Sequence, residues 1–253
     1  MHTLRTELSD GIQTVTLDRG KANPINHQMI LEMRQLIAET NHNEAVLGCL
    51  LTGKPGYFSA GLDVVELYDY DPAQMKAFWQ DLASLLADLS ASPKPWVAAI
   101  SGHSPAGGCV IALCCDQRVM AAGNYRIGLN EVPVGIVVPS PIFDLYASVL
   151  GNRQAYQFLM EGKLLLPQDA LACGLVDAVV DPEQVLETSR QRLLHYLSLN
   201  QMVWRQTKQL LKAPLIAQLR PDFDTAFGPT LDQWWREESR SQIAAMIQKL
   251  KQR

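Results

Sequence analysis

Two short runs with strand character, Leu4 to Leu8 and Ile12 to Leu17, flank Asp10-Gly11. Asp-Gly suits a two-residue turn with positive φ at both positions, so this pattern predicts a β-hairpin. Asn26 then stands where a helix cap belongs, and Ile30, Met33 and Ile37 share one stripe, predicting a helix over His27 to Asn41. Ala45 to Thr52 is an apolar run closed by Gly53, the pattern of a strand buried on both faces. Lys54 to Leu62 is turn-rich. Asp71-Pro72 supplies a cap and a first-turn proline, and Phe78, Leu82, Leu85, Leu86 and Leu89 extend a strong helical stripe. Pro93 and Pro95 end that helix before an apolar strand, Trp96 to Ile100.

The segment Ser104-Pro-Ala-Gly-Gly-Cys109 follows as a tight glycine turn leading into a buried helix, Cys109 to Leu113. Gln117 to Ala121 and Tyr125 to Gly128 are short strand candidates, Asn152 to Met160 and Pro167 to Ala172 helices, and Leu175 to Val180 a strand. Asp181-Pro-Glu-Gln184 reads as cap, proline and capping-box glutamine of a further helix. Beyond Asn200 no strand pattern recurs, and Ile243, Met246, Ile247 and Leu250 keep helical spacing. The expected architecture is an α/β core over residues 1–197 with a helical region over 198–253.

Composition narrows the function. With 253 residues and 47% hydrophobic content the chain can bury a sizeable core. A formal net charge of −4 and the lack of a basic block argue against nucleic acid or an anionic membrane as a partner. No apolar run approaches the roughly 18 residues of a membrane span, and Met1 to Asp10 lacks the apolar stretch of a signal peptide. Five cysteines, Cys49, Cys109, Cys114, Cys115 and Cys173, sit mostly within apolar runs and form no paired framework. A metal site from Cys109, Cys114 and Cys115 lacks a neighbouring histidine or C-x-x-C spacing, so no metal is expected. The expected location is cytoplasmic, or an organellar matrix if a presequence was removed.

Two loops share one logic. Phe58-Ser-Ala-Gly-Leu-Asp63 follows one buried strand and Ser104 to Cys109 follows another, each with small residues where a backbone must approach something closely. The first amides of a helix lack partners, so one N–H from each loop could converge on a single oxygen. Glu131 lies among Ile127, Leu129, Val132, Val134, Ile136, Val137 and Val138. A carboxyl in such company can have a raised pKa and carry protons near neutral pH, though the same residue could serve as a cap or salt-bridge partner. Donor pair plus lone carboxylate points to enolate chemistry.

Phe58-Ser-Ala-Gly-Leu-Asp63, Pro105-Ala-Gly-Gly-Cys109 running to Cys115-Asp116, and Ile127-Gly-Leu-Asn-Glu131 with Gly135-Ile136 resemble the crotonase (enoyl-CoA hydratase/isomerase) superfamily. Gly20-Lys-Ala-Asn-Pro-Ile-Asn26 and Ala170 to Val180 are similar too, so the resemblance spans nearly the whole chain in order. It implies a spiral of ββα units with a C-terminal helical region serving oligomerisation and active-site cover. It also implies a homotrimer or dimer of trimers, and acyl-CoA thioester substrates with no cofactor beyond the substrate's own CoA. By motif position it assigns the oxyanion-binding amides to Leu62 and Gly107, the catalytic carboxylate to Glu131, and CoA contacts to Lys21, Ala22, Ser59 and Ala60. Hydratases of this family carry a second glutamate directly after the Gly-Gly-Cys turn, where this chain has Val110, a residue that then faces substrate. The resemblance is therefore greatest to the family's Δ3,Δ2-enoyl-CoA isomerase branch. Hydration, thioester hydrolysis, and a non-catalytic acyl-CoA-binding or RNA-binding role are the rival expectations. Asn130 could orient the glutamate and His103 could donate a proton. Asp63 and Asp116 read as structural caps. Tyr57, Phe58, Tyr68 and Tyr70 could line a channel but more commonly pack, and Trp234 and Trp235 read as buried against the core or a neighbour.

Overall fold

Asp10 and Gly11 both take positive φ, 52° and 77°, and around them β1 (Leu4–Ser9) pairs antiparallel with β2 (Ile12–Leu17). That hairpin is the one antiparallel pairing among the named strands; every later pair is parallel. The computed structural model describes the backbone of residues 1–251 and the side chains of residues 1–249.

From the hairpin the chain enters α1 (His27–His42), whose cap Asn26 accepts a hydrogen bond from the Met29 amide. It continues through β3 (Gly48–Thr52), β4 (Gly56–Tyr57), the short α2 (Val64–Leu67) and α3 (Pro72–Ala91). Asp71 and Gln74 complete a capping box at the start of α3. Next come β5 (Trp96–Ile100), β6 (Gly102–Pro105), α4 (Gly107–Cys114), β7 (Gln117–Ala121) and β8 (Ile127–Gly128). A 3₁₀ turn at Val132–Val134 precedes α5 (Ser140–Leu150), α6 (Asn152–Glu161), α7 (Pro167–Ala172) and β9 (Ala178–Val180). Helices α8 (Val185–Ser198), α9 (Gln201–Leu219), α10 (Phe223–Trp234) and α11 (Glu237–Lys251) finish the described chain.

The strands take turns between two sheets. The larger sheet runs β1-β2-β3-β5-β7-β9 and the smaller β4-β6-β8. From β3 to β8 each unit sends one strand to the large sheet and the next to the small sheet before a helix returns, which is the ββα spiral that the resemblance implies. Strands β3 and β5 are buried along their whole length, as apolar runs in a two-sided parallel sheet must be. One face packs on the main core with α1, α3 and α4; the other forms a smaller cluster with Val185 and Leu193 of α8. The cysteines are unpaired thiols, and those of α4 and its end are packed into the core. Among the described residues no helix is long and apolar enough to cross a membrane.

Several local expectations change. The segment 54–62 holds a two-residue strand, β4, and Ser104-Pro105 is the end of a strand rather than part of a turn. The strand expected over Leu175 to Val180 shortens to β9, because Leu175 and Val176 bond back to Ala170 at the end of α7. The capping box at Asp181 is absent: Pro182–Gln184 form a separate 3₁₀ turn, and Asp181 makes no side-chain cap bond. Helices α2 and α5 were not legible in the apolar pattern.

Candidate active site

The loop after β4 and the turn after β6 meet at Leu62 and Gly107. Gly61, at φ 89°, sits so close to the second loop that a Cβ there would lie 3.0 Å from Ala106 Cβ and 3.3 Å from Gly107 N. A Cβ on Gly107 would in turn lie 3.4 Å from Leu62 N. The two backbones are therefore in contact, and side chains at 61 or 107 would push them apart. Ala106 holds φ 48° and ψ −124°, a conformation that costs a non-glycine residue about 1–3 kcal/mol. It turns the chain from β6 into α4, so Gly107 is the first helical residue and its amide has no acceptor within the helix. Among the described residues neither the Leu62 nor the Gly107 amide donates to a protein acceptor.

Both residues line a cavity of about 560 Å³. Its wall combines Ala60, Leu62, Asp63 and Val65 from the first loop and α2, Trp79 and Leu82 from α3, and Gly107 and Val110 from α4. Asn130, Glu131, Val134 and Ile136 to Pro139 close another side, with Ile142 of α5 and Met246 of α11. Two ionisable side chains are on this wall, Asp63 and Glu131.

Glu131 precedes the 3₁₀ turn with helical φ and ψ, and its carbonyl accepts from the amides of Val134 and Ile136. Its carboxyl Oε2 is fully enclosed and has no hydrogen-bond partner. Desolvation pushes its pKa from 4.5 up to about 7, against weaker pull from its own amide and that of Asn130. As a whole the residue is half-buried and lines the cavity. Such a group can take a proton and return it near neutral pH.

Asp63 is committed elsewhere. Its Oδ1 caps α2 by accepting from the Glu66 amide, and its Oδ2 lies 2.6 Å from Arg19 Nη1. Asp116 accepts from the Trp96 amide and pairs with Lys208 at 2.7 Å, away from the cavity. Both act as structural anchors.

The cavity brings together Glu131, Leu62, Gly107, Val110 and Ala60 of the residues singled out from sequence, with Asn130 beside the carboxylate. Lys21, Ala22 and Ser59 are not on its wall. Lys21 is exposed in a turn, and the Ala22 carbonyl accepts from the Ala60 amide at 2.8 Å. Ser59 is fully buried; its hydroxyl donates to Asn23 O and accepts from the Gly61 amide. His103 packs between Tyr57, tilted at 38°, and Tyr125, edge-on at 89°, with ring centroids 5.1 and 5.3 Å away, and accepts from the Arg126 amide. Burial and then Arg126 hold its pKa down, and it does not reach the cavity. Tyr57, Phe58, Tyr68 and Tyr70 pack outside the cavity wall as well. Trp234 is buried within the chain, and Trp235 is partly exposed. The lining residues that sequence reasoning did not place at a site include Val64, Val65, Trp79, Leu82, Pro139, Ile142 and Met246. Trp79 and Leu82 lie on the α3 stripe, and their periodicity marks them as buried without telling core from cavity wall.

A family profile described as enoyl-CoA hydratase/isomerase matches residues 7–233. The mouse protein named mitochondrial enoyl-CoA delta isomerase 1 is 36% identical over 83% of this chain and 73% of its own length. The short-chain-enoyl-CoA hydratase of Clostridium acetobutylicum is 28% identical over 95% of this chain and 92% of its own. The crystal structure of human mitochondrial delta3-delta2-enoyl-CoA isomerase superposes with a TM-score of 0.95 at 28% identity, covering 99% of this chain and 98% of that one.

Proposed function

Given that the chain belongs to the enoyl-CoA hydratase/isomerase family, we propose that it is an isomerase that shifts a 3-enoyl-CoA to the trans-2-enoyl-CoA. The carrying observation is the number of carboxylates available at the cavity. Glu131 lines it and has a carboxyl oxygen without a partner among the described residues, Asp63 is held by Arg19, and Val110 occupies the position where hydratases have a second glutamate. Hydration needs one group to activate water and another to manage the α-proton; a 1,3-proton shift needs one group for both transfers.

In this reading the thioester oxygen lies between the amides of Leu62 and Gly107. The C2 proton, acidified by the thioester and by the adjacent double bond, passes to Glu131. The charge spreads into a dienolate whose oxygen the two amides hold, at a helix start whose dipole favours it. Glu131 then returns the proton at C4, and the double bond moves from C3–C4 to C2–C3 with no atom gained or lost. A carboxyl with a pKa near 7 is matched to taking and giving a proton at neutral pH. The thioester and its two donors supply the activation, so the step calls for no cofactor beyond the CoA of the substrate.

Lys21, Ala22, Ser59 and Ala60 are the proposed contacts of the CoA arm. Because Ala22 O and Ala60 N are bonded to each other, that contact falls to the remaining backbone groups and to the exposed Lys21. Residues 198–253 are proposed to cover the site, since Met246 sits on the cavity wall. The working form is proposed to be a homotrimer or a dimer of trimers.

The test is Glu131→Gln, which keeps size and hydrogen bonding but cannot accept a proton from carbon. Isomerisation should fall about 10²–10⁴-fold or more while acyl-CoA affinity stays near that of the wild type. An active variant would exclude Glu131 as the proton carrier.

A further inference from the structure

The Leu62 amide belongs to a short segment with little stability of its own. Helix α2, which follows it, has four residues and cannot persist on intrinsic propensity. Leu62 is flanked by two backbone ties to one residue: Ile25 N donates to Gly61 O and Asp63 N donates to Ile25 O, each at 2.8 Å. Upstream, Ala60 N also donates to Ala22 O at 2.8 Å; downstream of Asp63, what fixes α2 to the rest of the chain runs largely through side chains.

Those side chains converge on Arg19. Its Nη1 meets Asp63 Oδ2 at 2.6 Å and Pro24 O at 3.1 Å, and its Nη2 meets Glu66 Oε2 at 2.8 Å. Its own amide donates to Asn23 Oδ1 at 3.0 Å. Glu66 is also held by Asn26 Nδ2 at 2.8 Å and the Tyr70 hydroxyl at 2.7 Å. Among the described residues Arg19 is the one cation paired with either Asp63 or Glu66. Asp63 accepts the Glu66 amide, so these two carboxylates are brought to the first turn of α2 by the fold itself.

We propose that Arg19 is a positioning residue for the oxyanion-binding amide of Leu62, acting through Asp63 and Glu66. The proposal rests on the reading that this amide holds the thioester oxygen. Without the guanidinium, two carboxylates at the start of α2 repel each other, and the cheapest relief is a shift of that turn. The adjoining Leu62 amide moves with it. The bridge is partly open to solvent, with side-chain exposures of 26% for Arg19 and 12% for Asp63. Such a pair contributes little to global stability. Catalysis is far more sensitive, because a displacement of about 1 Å can cost on the order of 10²-fold in rate. The two effects therefore separate: loss of Arg19 should be read in turnover before it is read in melting.

The experiment compares the full-length wild type with Arg19→Met, which keeps the apolar stem, and Arg19→Lys, which keeps the charge without the two-pronged geometry. Each protein is assayed for kcat and KM on a 3-enoyl-CoA. Each is also titrated with a 2,4-dienoyl-CoA, whose absorption moves to the red as its thioester carbonyl is polarised. We expect the wild type to shift the probe to the red. Arg19→Met should bind it within about 3-fold yet lose most of the shift, and its kcat should fall about 10–100-fold with KM little changed. Arg19→Lys should recover part of both. Should Arg19→Met fail to fold by circular dichroism, Asp63→Asn discards the ion pair while retaining a cap and carries the same expectation. A folded Arg19→Met with the full red shift and wild-type kcat would overturn the positioning role alone. Absence of a red shift in the wild type would overturn the assignment of the oxyanion amides, and the positioning role with it.

Discussion

Glu131 is costly to the fold as an anion and useful to the reaction for the same reason. Burial lifts its pKa from 4.5 to about 7. A carboxyl whose folded pKa is raised leaves stability untouched below about 4.5 and erodes it as pH climbs through about 7. Glu131→Gln removes that cost, so the variant should be more stable than the wild type at pH 8 by about 1–3 kcal/mol and nearly equal to it at pH 4. Wild-type kcat/KM should follow the opposite course and rise with pH through about 7, as the base loses its proton. Urea titrations at the two pH values check the first statement, and a variant less stable at pH 8 would show that the carboxylate is stabilised by the fold. The apolar neighbours of Glu131 in sequence hinted at this pKa, but for a partly wrong reason. Val132 and Val137 are exposed, at 38% and 40%, and the cavity wall around Glu131 also takes in Ile142 of α5 and Met246 of α11, which no local window of sequence contains.

At the scale of elements, the C-terminal helices hold the segment that carries Glu131. Thr230 Oγ1 of α10 donates to Val137 O at 3.0 Å, and Gln233 Nε2 donates to Gly135 O and Ser239 Oγ at 2.5 Å each. Arg240 of α11 donates to Tyr68 O at 2.9 Å and lays its guanidinium 3.5 Å from the Tyr68 ring centroid, reaching the residue that follows α2. These contacts tie both sides of the cavity to the C-terminal helices. Gln233→Ala should remove the tie to the glutamate segment, lowering kcat about 10-fold while destabilising the fold by about 1 kcal/mol. Equal losses in kcat and in the fraction folded would reduce Gln233 to a stability residue. Most of these links span about a hundred residues of sequence or more, so the helical spacing of Ile243, Met246 and Ile247 could mark α11 as a helix but could not place it against the cavity. The hairpin and the caps at Asn26 and Asp71 were legible because each is set by two or three adjacent residues. Helix α5 was not, since prolines at 139 and 141 replace a polar cap. Helix α2 exists through the Asp63 cap and the Arg19 bridge rather than through an apolar stripe.

Over the whole molecule, the sequence suggested that the apolar residues of the last helices would form a subunit interface. Trp234, Ile243 and Ile247 are instead buried within the chain, and Met246 lines the cavity; the side chain of Leu250 lies outside the described residues. Exposed apolar side chains remain elsewhere, among them Leu210 and Leu211 of α9, each 76% exposed, with Met202 and Val203 two turns earlier on the same helix. Isolated exposed leucines need no explanation, but several along one helix are suited to a symmetric neighbour. Light scattering at micromolar concentration should give the mass of a trimer or hexamer, and a monomer would contradict it. The alternating sheets, the two meeting loops and the carboxylate of Glu131 would together serve the proposed reaction, which moves a proton between carbons and adds no water. The most direct measurement mixes the wild-type protein with a 3-enoyl-CoA, follows the ultraviolet band of the conjugated enoyl-thioester, and weighs the product by mass spectrometry. The account predicts that the band grows while the mass stays that of the substrate. A flat trace with 3-enoyl-CoA, together with loss of the band and gain of one water when 2-enoyl-CoA is supplied, would contradict it.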